Sequence, residues 1–337
     1  MLTDIRVSCS PHISERLSTR SVMIDVIIGL APAMAAAGYY FRIHALILVC
    51  TCVISSVVTE WLCNLIRKKP NSLGDFSAVV TGIILALSLP PKLPVWAAVV
   101  GSVFAVAIGK MVFGGLGANI FNPAMVGRTF LTASFGVLMT SWTVPATVHG
   151  TMPAIAPENI VHAKTQATPL AWSKLAIKNS LGADIYSEEQ FKATFTGEVG
   201  GSLGETSVIA LLIGGLYLLI RRTINFHIPL AVLASAFVFA TIAYWKDSYA
   251  YVQPFFHMCS GGLLLCAFFI ATDPVTAPLT RRGMWIFGIG VGTITMLIRI
   301  VGEYPEGVMF SILLMNAVTP LIDRLCKRIP AGGKPSA

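Results

Sequence analysis

The chain has 337 residues, of which 55% are hydrophobic and 12% charged, with a formal net charge of +8. A soluble domain of this size carries about 25% charged residues, so this composition cannot coat a water-facing surface and lipid must be the main solvent. The positive charge would suggest a nucleic-acid partner in a soluble protein, but here the basic residues sit in short loops between apolar runs, where they set membrane orientation instead. The reading is therefore no nucleic acid and a membrane lipid surround.

Seven cysteines (Cys9, Cys50, Cys52, Cys63, Cys259, Cys266 and Cys326) form no CxxC pair, and no histidine clusters beside one. Most lie in apolar runs, where a lone cysteine behaves as a small hydrophobe. Neither a disulfide framework nor a zinc or iron–sulfur site within this chain is expected.

Taken in order, the first twenty residues are polar and charged. The apolar run 21–41 that follows is too long for a signal-peptide core and has the length a spanning helix needs. Nine further apolar runs follow at 43–66, 75–90, 94–114, 124–142, 206–220, 226–245, 256–272, 284–301 and 306–323. The third is short and ends in Leu89-Pro90-Pro91, and Gly or Pro interrupts the fourth and the eighth to tenth. Such interruptions survive in lipid only where protein or a cavity covers the freed backbone groups. The fold class expected is an all-α integral membrane protein with about ten transmembrane helices and one long extracytoplasmic loop.

The Lys and Arg distribution sets the orientation. With the N-terminus inside, the inside segments hold Arg6, Arg16 and Arg20, then Arg67, Lys68 and Lys69, then Arg221 and Arg222, then Arg281 and Arg282, and finally Arg324, Lys327, Arg328 and Lys334. The short outside loops hold only Arg42, Lys92 and Lys246, with Arg299 near an outside helix end. Both termini are then cytoplasmic and 143–205 is extracytoplasmic. This divides the chain into an N-terminal five-helix membrane half (1–142), a loop (143–205) and a C-terminal five-helix half (206–337). An odd number of helices per half inverts the second half. Helix three ends at Leu89-Pro90-Pro91 before Trp96, and helix eight ends at Thr272-Asp273-Pro274 before Trp285. These parallels suggest two inverted repeats, an arrangement that places polar sites near the midplane in transporters. The competing explanation is that apolar helices resemble one another by composition.

In the loop, Thr168 is a good N-cap and Pro169 is well placed at the first helical position. Lys174 and Lys178 follow one turn apart on one face. A helix N-terminus presents free N–H groups and suits a phosphate, although an ordinary capped surface helix has the same pattern. The stretch Gly114–Gly117 is no dinucleotide fingerprint, because no strand precedes it. Its plain reading is a tight turn that lets helices approach closely. Beside it, Asn119 and Asn122 can donate and accept hydrogen bonds, while Asn122 before Pro123 also reads as a helix cap. Asp273 puts a carboxylate at a helix end, where an Asx-turn is the plain explanation. Asp25, Glu60, Asp75 and Lys110 lie near inside helix ends, where side chains can snorkel to the headgroups. Arg299 and Glu303 are four residues apart and read as an ion pair on one helix face.

The sequence Gly114-Gly115-Leu116-Gly117-Ala118-Asn119-Ile120-Phe121-Asn122-Pro123-Ala124 with Arg128, the turn Ala271-Thr272-Asp273-Pro274-Val275-Thr276 and the loop Ala167-Thr168-Pro169-Leu170 occur together on a ten-helix frame. In this combination the chain resembles the D subunits of Rnf electron-transport complexes over nearly its whole length. It is also similar to the homologous B subunits of sodium-pumping NADH:quinone reductases, which have a longer N-terminal extension. The resemblance implies FMN bound covalently to Thr168 through a phosphoester, attached by a dedicated flavin transferase. It also implies a non-covalent riboflavin within the helices, near Asn119 and Asn122, with Asp273 a further candidate. The family pattern has an acidic residue six positions before the threonine. This chain has His162 there, which leaves Thr165 as the alternative attachment site. The implied setting is a bacterial cytoplasmic (inner) membrane and an assembly with the other Rnf subunits (A, B, C, E and G). That assembly would exchange electrons between ferredoxin and NAD while moving Na⁺ or H⁺. No acid–base pair or nucleophile triad is visible, so the chain is not expected to catalyse alone, and a flavin-free solute transporter or channel is the rival class.

Overall fold

The computed structural model describes residues 18–142, 170–171, 173–174, 194–197, 200–205, 207–248, 251–302, 304 and 306–327. Thr168, Thr165, His162, Lys178 and Glu303, with most of the 143–205 loop, lie outside the described residues. Among the described residues the regular structure is helical, without strands.

Helix α1 (Thr19–Phe41) starts at a reciprocal cap, in which the Ser18 and Ser21 side chains each accept from the other's backbone N–H. It ends at Arg42, whose φ of 52° turns the chain directly into α2 (Ile43–Ile66). A 3₁₀ turn (Leu73–Asp75) leads to the short α3 (Ser77–Leu87). Asp75 caps α3 from outside: its Oδ1 accepts from the Ser77 N–H at 2.8 Å and from Ser77 Oγ at 2.6 Å. Helix α4 (Val95–Val106) runs into a π turn (Ala107–Met111), and the glycine-rich turn follows. Gly114, Gly115 and Gly117 have φ of 133°, 108° and 91°, values open to glycine and costly for other residues. Helix α5 (Pro123–Ser134) and the four-residue α6 (Gly136–Met139) complete the first half.

The second half comprises α7 (Val208–Ile220), α8 (His227–Lys246), α9 (Pro254–Cys259), the single-turn α10 (Leu263–Leu265) with its π turn (Cys266–Ile270), α11 (Arg281–Ile300) and α12 (Val308–Leu325). Five helices are long and apolar enough to cross a membrane by length and composition: α1, α2, α8, α11 and α12. Their outer faces expose large apolar side chains such as Ile54, Trp61, Val238 and Leu314. In water such a surface would aggregate; in lipid it is the solvated face. The chain is a helical membrane protein.

The short segments occupy the centre. Almost every residue of α3 is buried, as is the whole run from Leu263 to Ala271. Apolar side chains all round mark helices enclosed by protein. The 200–205 segment plugs between them. The Leu203 and Gly204 N–H groups donate to the Leu89 and Leu87 carbonyls, satisfying the orphan end of α3. Around this centre α1 packs on α7, α2 on α3 and α4, α4 on α5, and α8 on α11.

Small residues set the closest approaches. A Cβ added to Gly214 on α7 would collide with the Gly29 carbonyl oxygen of α1, and one added to Gly292 on α11 would collide with Ser235 Oγ of α8. These contacts correct one expectation. The glycines of runs nine and ten do not interrupt the helices; α11 passes unbroken through Gly288, Gly290 and Gly292 and uses them as a packing face. Helix α12 likewise continues through Pro320, with Thr319 Oγ1 donating to the Met315 carbonyl one turn back. Conversely, the run read as one helix over 124–142 breaks at Phe135, which leaves helical backbone geometry at φ −131° and ψ 47°.

A polar cavity and two buried charge clusters

At one end of the bundle the start of α3, the π turn after α4, the start of α5 and the segment after the second π turn surround a cavity of about 60 Å³. Lys110, Asn119, Asn122, Thr81, Asp273 and Phe269 are among its walls. Three candidate cofactor-binding residues of the sequence, Asn119, Asn122 and Asp273, thus share one site.

Asn122 is held from several sides. Its side chain caps α5 by accepting from the Met125 N–H at 3.3 Å and donates to the Ile270 carbonyl at 3.4 Å. Its own N–H donates to Asn316 Oδ1 of α12 at 3.2 Å. The capping reading of Asn122 therefore holds, and the same residue borders the cavity. Asn119 is 5% exposed. Its Nδ2 donates to the Phe121 carbonyl at 3.2 Å, while its Oδ1 is buried without a partner. An unpaired buried acceptor costs about 1–3 kcal/mol, so its persistence beside a cavity points to a donor supplied from elsewhere. Asp273 forms the Asx-turn read from sequence: Oδ1 accepts from the Val275 N–H at 3.2 Å and Oδ2 from Thr276 Oγ1 at 3.1 Å.

The snorkelling expected of Lys110 is corrected by the structure. Lys110 is 1% exposed, and its Nζ donates to Glu60 Oε2 at 2.7 Å and to Ser77 Oγ at 2.6 Å. Glu60 is fully buried and also accepts from Ser72 Oγ, which in turn accepts from Asn64 Nδ2 at 2.9 Å. The stem of Lys110 is too deep to snorkel, and its partner from α2 removes the need. Asp25 is similarly inward: it is 6% exposed and accepts from Thr223 Oγ1 at 3.0 Å and Tyr217 Oη at 3.2 Å. It pairs with Arg221 at 3.4 Å and so ties α1 to the end of α7.

The second cluster lies towards the opposite end. Arg128 of α5 pairs with Glu306 at the start of α12, and its Nη2 is 3.9 Å from Glu205 Oε1. Arg299 of α11 is 2% exposed and donates to the His257 carbonyl at 2.8 Å and the Ser260 carbonyl at 3.0 Å. The Arg299–Glu303 pairing expected from spacing concerns a residue outside the described ones; these carbonyls take two of its donors. Leu170, two residues after Thr168, is buried, and Lys174 Nζ donates to the Gly302 carbonyl at 2.6 Å.

This is the architecture of a helical membrane protein that buries ionisable groups in two layers around short central helices, and such groups at membrane depth mark functional sites by default. The chain belongs to the NQR2, RnfD, RnfE family, whose family model matches residues 6–332. It is 46% identical to the D subunit of the Na⁺-translocating ferredoxin:NAD⁺ oxidoreductase complex of Acetobacterium woodii, across 96% of this chain and 94% of that protein. It is 42% identical to the D subunit of the proton-translocating ferredoxin:NAD⁺ oxidoreductase complex of Clostridium ljungdahlii, across 97% and 96% of the two chains. The D subunit of the ion-translocating oxidoreductase complex of Stutzerimonas stutzeri is 40% identical over 93% of this chain and 92% of its own.

Proposed function

We propose that this chain is the D subunit of an ion-translocating ferredoxin:NAD⁺ oxidoreductase complex, relaying electrons through FMN linked to Thr168 and a riboflavin held among the helices. The near full-length likeness to subunits so named supports the assignment. Within the complex the chain would contact the other Rnf subunits, and a flavin transferase would mature it. It is not a catalyst alone: the flavins supply the redox chemistry, and the protein positions them and sets their surroundings.

The observation that carries the flavin reading is the unpaired Asn119 Oδ1 on the cavity wall. An isoalloxazine ring has an N–H between two carbonyls, which suits a cavity whose wall carries the amide acceptor of Asn119 together with the amide of Asn122 and the ammonium of Lys110. The fit is to the polar edge. A cavity of about 60 Å³ is smaller than the roughly 300 Å³ of ordinary ligand sites, so wall side chains must give way for the rest of the ring.

In this reading the five long helices and the shorter apolar ones α3, α4, α5, α7 and α9–α10 make ten crossings in two inverted halves, with both termini cytoplasmic in a bacterial inner membrane. Arg67, Arg221 and Arg281 then face the cytoplasm as the positive-inside rule requires. The loop at 143–205 and its Thr168 lie on the opposite side, and the cavity lies in the cytoplasmic half.

The test is fluorescence of the denatured chain after co-expression with a flavin transferase. Wild-type protein should give a fluorescent band under ultraviolet light, and Thr168→Val should abolish it; a dark wild-type band favours a flavin-free transporter. A signal that survives in Thr168→Val and is lost in Thr165→Val moves the attachment site.

A further inference from the structure

We infer that Glu205 and Glu306 form a buried proton-binding site, with one proton resident on Glu205 and donated to the Glu306 carboxylate. The two carboxyls come from distant parts of the chain and converge on one backbone. A Cβ added at Gly262 would lie 2.5 Å from Glu306 Oε1 and 3.3 Å from Glu205 Oε1. The Gly262 N–H donates to Glu306 Oε1 at 2.9 Å, and the Ser202 N–H to Glu205 Oε2 at 3.3 Å. Both carboxyls therefore close on the same backbone position from short range.

The distribution of donors decides which one is neutral. Arg128 Nη2 is committed to Glu306 Oε2 and stands 3.9 Å from Glu205 Oε1, beyond a hydrogen bond. Arg299, the other cation near the pair, donates from its two terminal nitrogens to the His257 and Ser260 carbonyls, and among the described hydrogen bonds none runs from it to either carboxyl. Glu306 thus has a guanidinium and a backbone donor, as an ionised carboxylate requires, whereas Glu205 has one backbone donor and an Oε1 with no protein donor. Ionised carboxylates only accept, so two in contact repel unless a proton lies between them. His257 and Cys266 also border this layer. The His257 carbonyl accepts from Arg299, and neither side chain donates to Glu205 among the described hydrogen bonds.

Further unpaired atoms surround the pair. Arg128 Nε and Ser202 Oγ have no partner, on residues 4% and 0% exposed. The pair's place in the fold is also defined. Gly261, the next residue back, is where Leu170 packs, since an added Cβ there would meet Leu170 Cδ1 at 2.5 Å. Arg128 stands six residues along α5 from the cavity residue Asn122, about 9 Å at helical rise. Any coupling of this proton to electron transfer rests on the flavin reading above; the proton itself does not.

Infrared spectroscopy of the purified complex reads the proton directly. Wild type at neutral pH should show the C=O stretch of a buried protonated carboxyl, shifting in D₂O and bleaching as the pH is raised. Glu205→Gln, which mimics the protonated acid, should assemble and lack the band. The Thr168→Val complex should keep it, which separates this inference from the covalent-flavin assignment. The inference is overturned by a wild-type spectrum without the band, by its persistence in Glu205→Gln, by its loss on adding Na⁺ at fixed pH, or by failure of Glu205→Gln to assemble where Glu306→Gln succeeds.

Discussion

Lys110 and Glu60 face each other across 2.7 Å, with side-chain exposures of 1% and 0%, on elements fifty residues apart. A pair this dry gains strongly from attraction and loses strongly from desolvation, so its members are far more consequential singly than together. Lys110→Met should lower stability by about 3–5 kcal/mol because it strands the Glu60 carboxylate. The double variant Lys110→Met with Glu60→Leu should recover most of that loss. Denaturant or thermal unfolding of the four proteins of this cycle in detergent measures the coupling. Additive losses would show that the two charges act independently.

The pair also bears on the cavity, since Lys110 lines it and Ser77 links it to Asp75 at the cap of α3. Asn119 offers the cleaner probe of what the cavity takes. Asn119→Leu deletes the unpaired acceptor and also the Nδ2 donor to the Phe121 carbonyl, so in a cavity that binds nothing the change should cost about 0.5–1.5 kcal/mol of stability and leave flavin content unchanged. If a flavin edge donates to Oδ1, the loss of one buried hydrogen bond, about 1.4 kcal/mol, weakens retention roughly tenfold. The readout is the non-covalent flavin released on denaturation per mole of purified complex, compared between wild type and variant. Equal flavin content in the two proteins excludes Asn119 from the site.

The sequence makes one part of this architecture plain and hides another. The long helices are legible to within a few residues: the run 43–66 is the helix Ile43–Ile66, and 226–245 is His227–Lys246. Long apolar runs with Lys and Arg at their ends leave little choice of boundary. The Asx-turn at Asp273 and the cap at Asn122 are legible for a similar reason, because each is made by atoms within three residues. The charge clusters are not local. Arg128 meets Glu306 across 178 positions, and Asp25 meets Thr223 across 198. Spacing reaches only nearby partners, and so gives no sign that Arg299 donates to carbonyls about forty residues back. The π turns at Ala107–Met111 and Cys266–Ile270 likewise lack a composition signal. Both border the cavity through Lys110, Phe268 and Phe269, in keeping with the tendency of such bulges to gather at functional sites.

Lys174 provides a test of how the loop is held. Its Nζ donates to the Gly302 carbonyl at 2.6 Å, and the neighbouring Ser173 is 2% exposed. Lys174→Ala should cost the fold little, at most about 1.5–3 kcal/mol for a charge-assisted bond. It should release the segment that follows Thr168 more than the bundle. Limited proteolysis of wild type and variant distinguishes the two effects: faster cleavage within 143–205 with an unchanged unfolding midpoint is expected. Equal cleavage rates would show that this contact does not anchor the loop.

The glycine contacts make the most direct packing prediction. Gly214 lies against Gly29, and an added methyl would run into a carbonyl oxygen. No rotamer relieves a clash between Cβ and backbone, so α1 and α7 must separate. Overpacking of this kind typically costs about 1–3 kcal/mol. The displacement also pulls on Asp25, whose bonds to Tyr217 and Thr223 cross the same interface. Gly38→Ala on α1 is the control, because nothing lies within 4 Å of its added Cβ. Alanine there should stabilise α1 by up to about 1 kcal/mol through helix propensity. Unfolding midpoints in detergent should therefore fall for Gly214→Ala and hold or rise for Gly38→Ala. A Gly214→Ala protein as stable as wild type would mean that α1 and α7 do not touch where Gly29 and Gly214 place them.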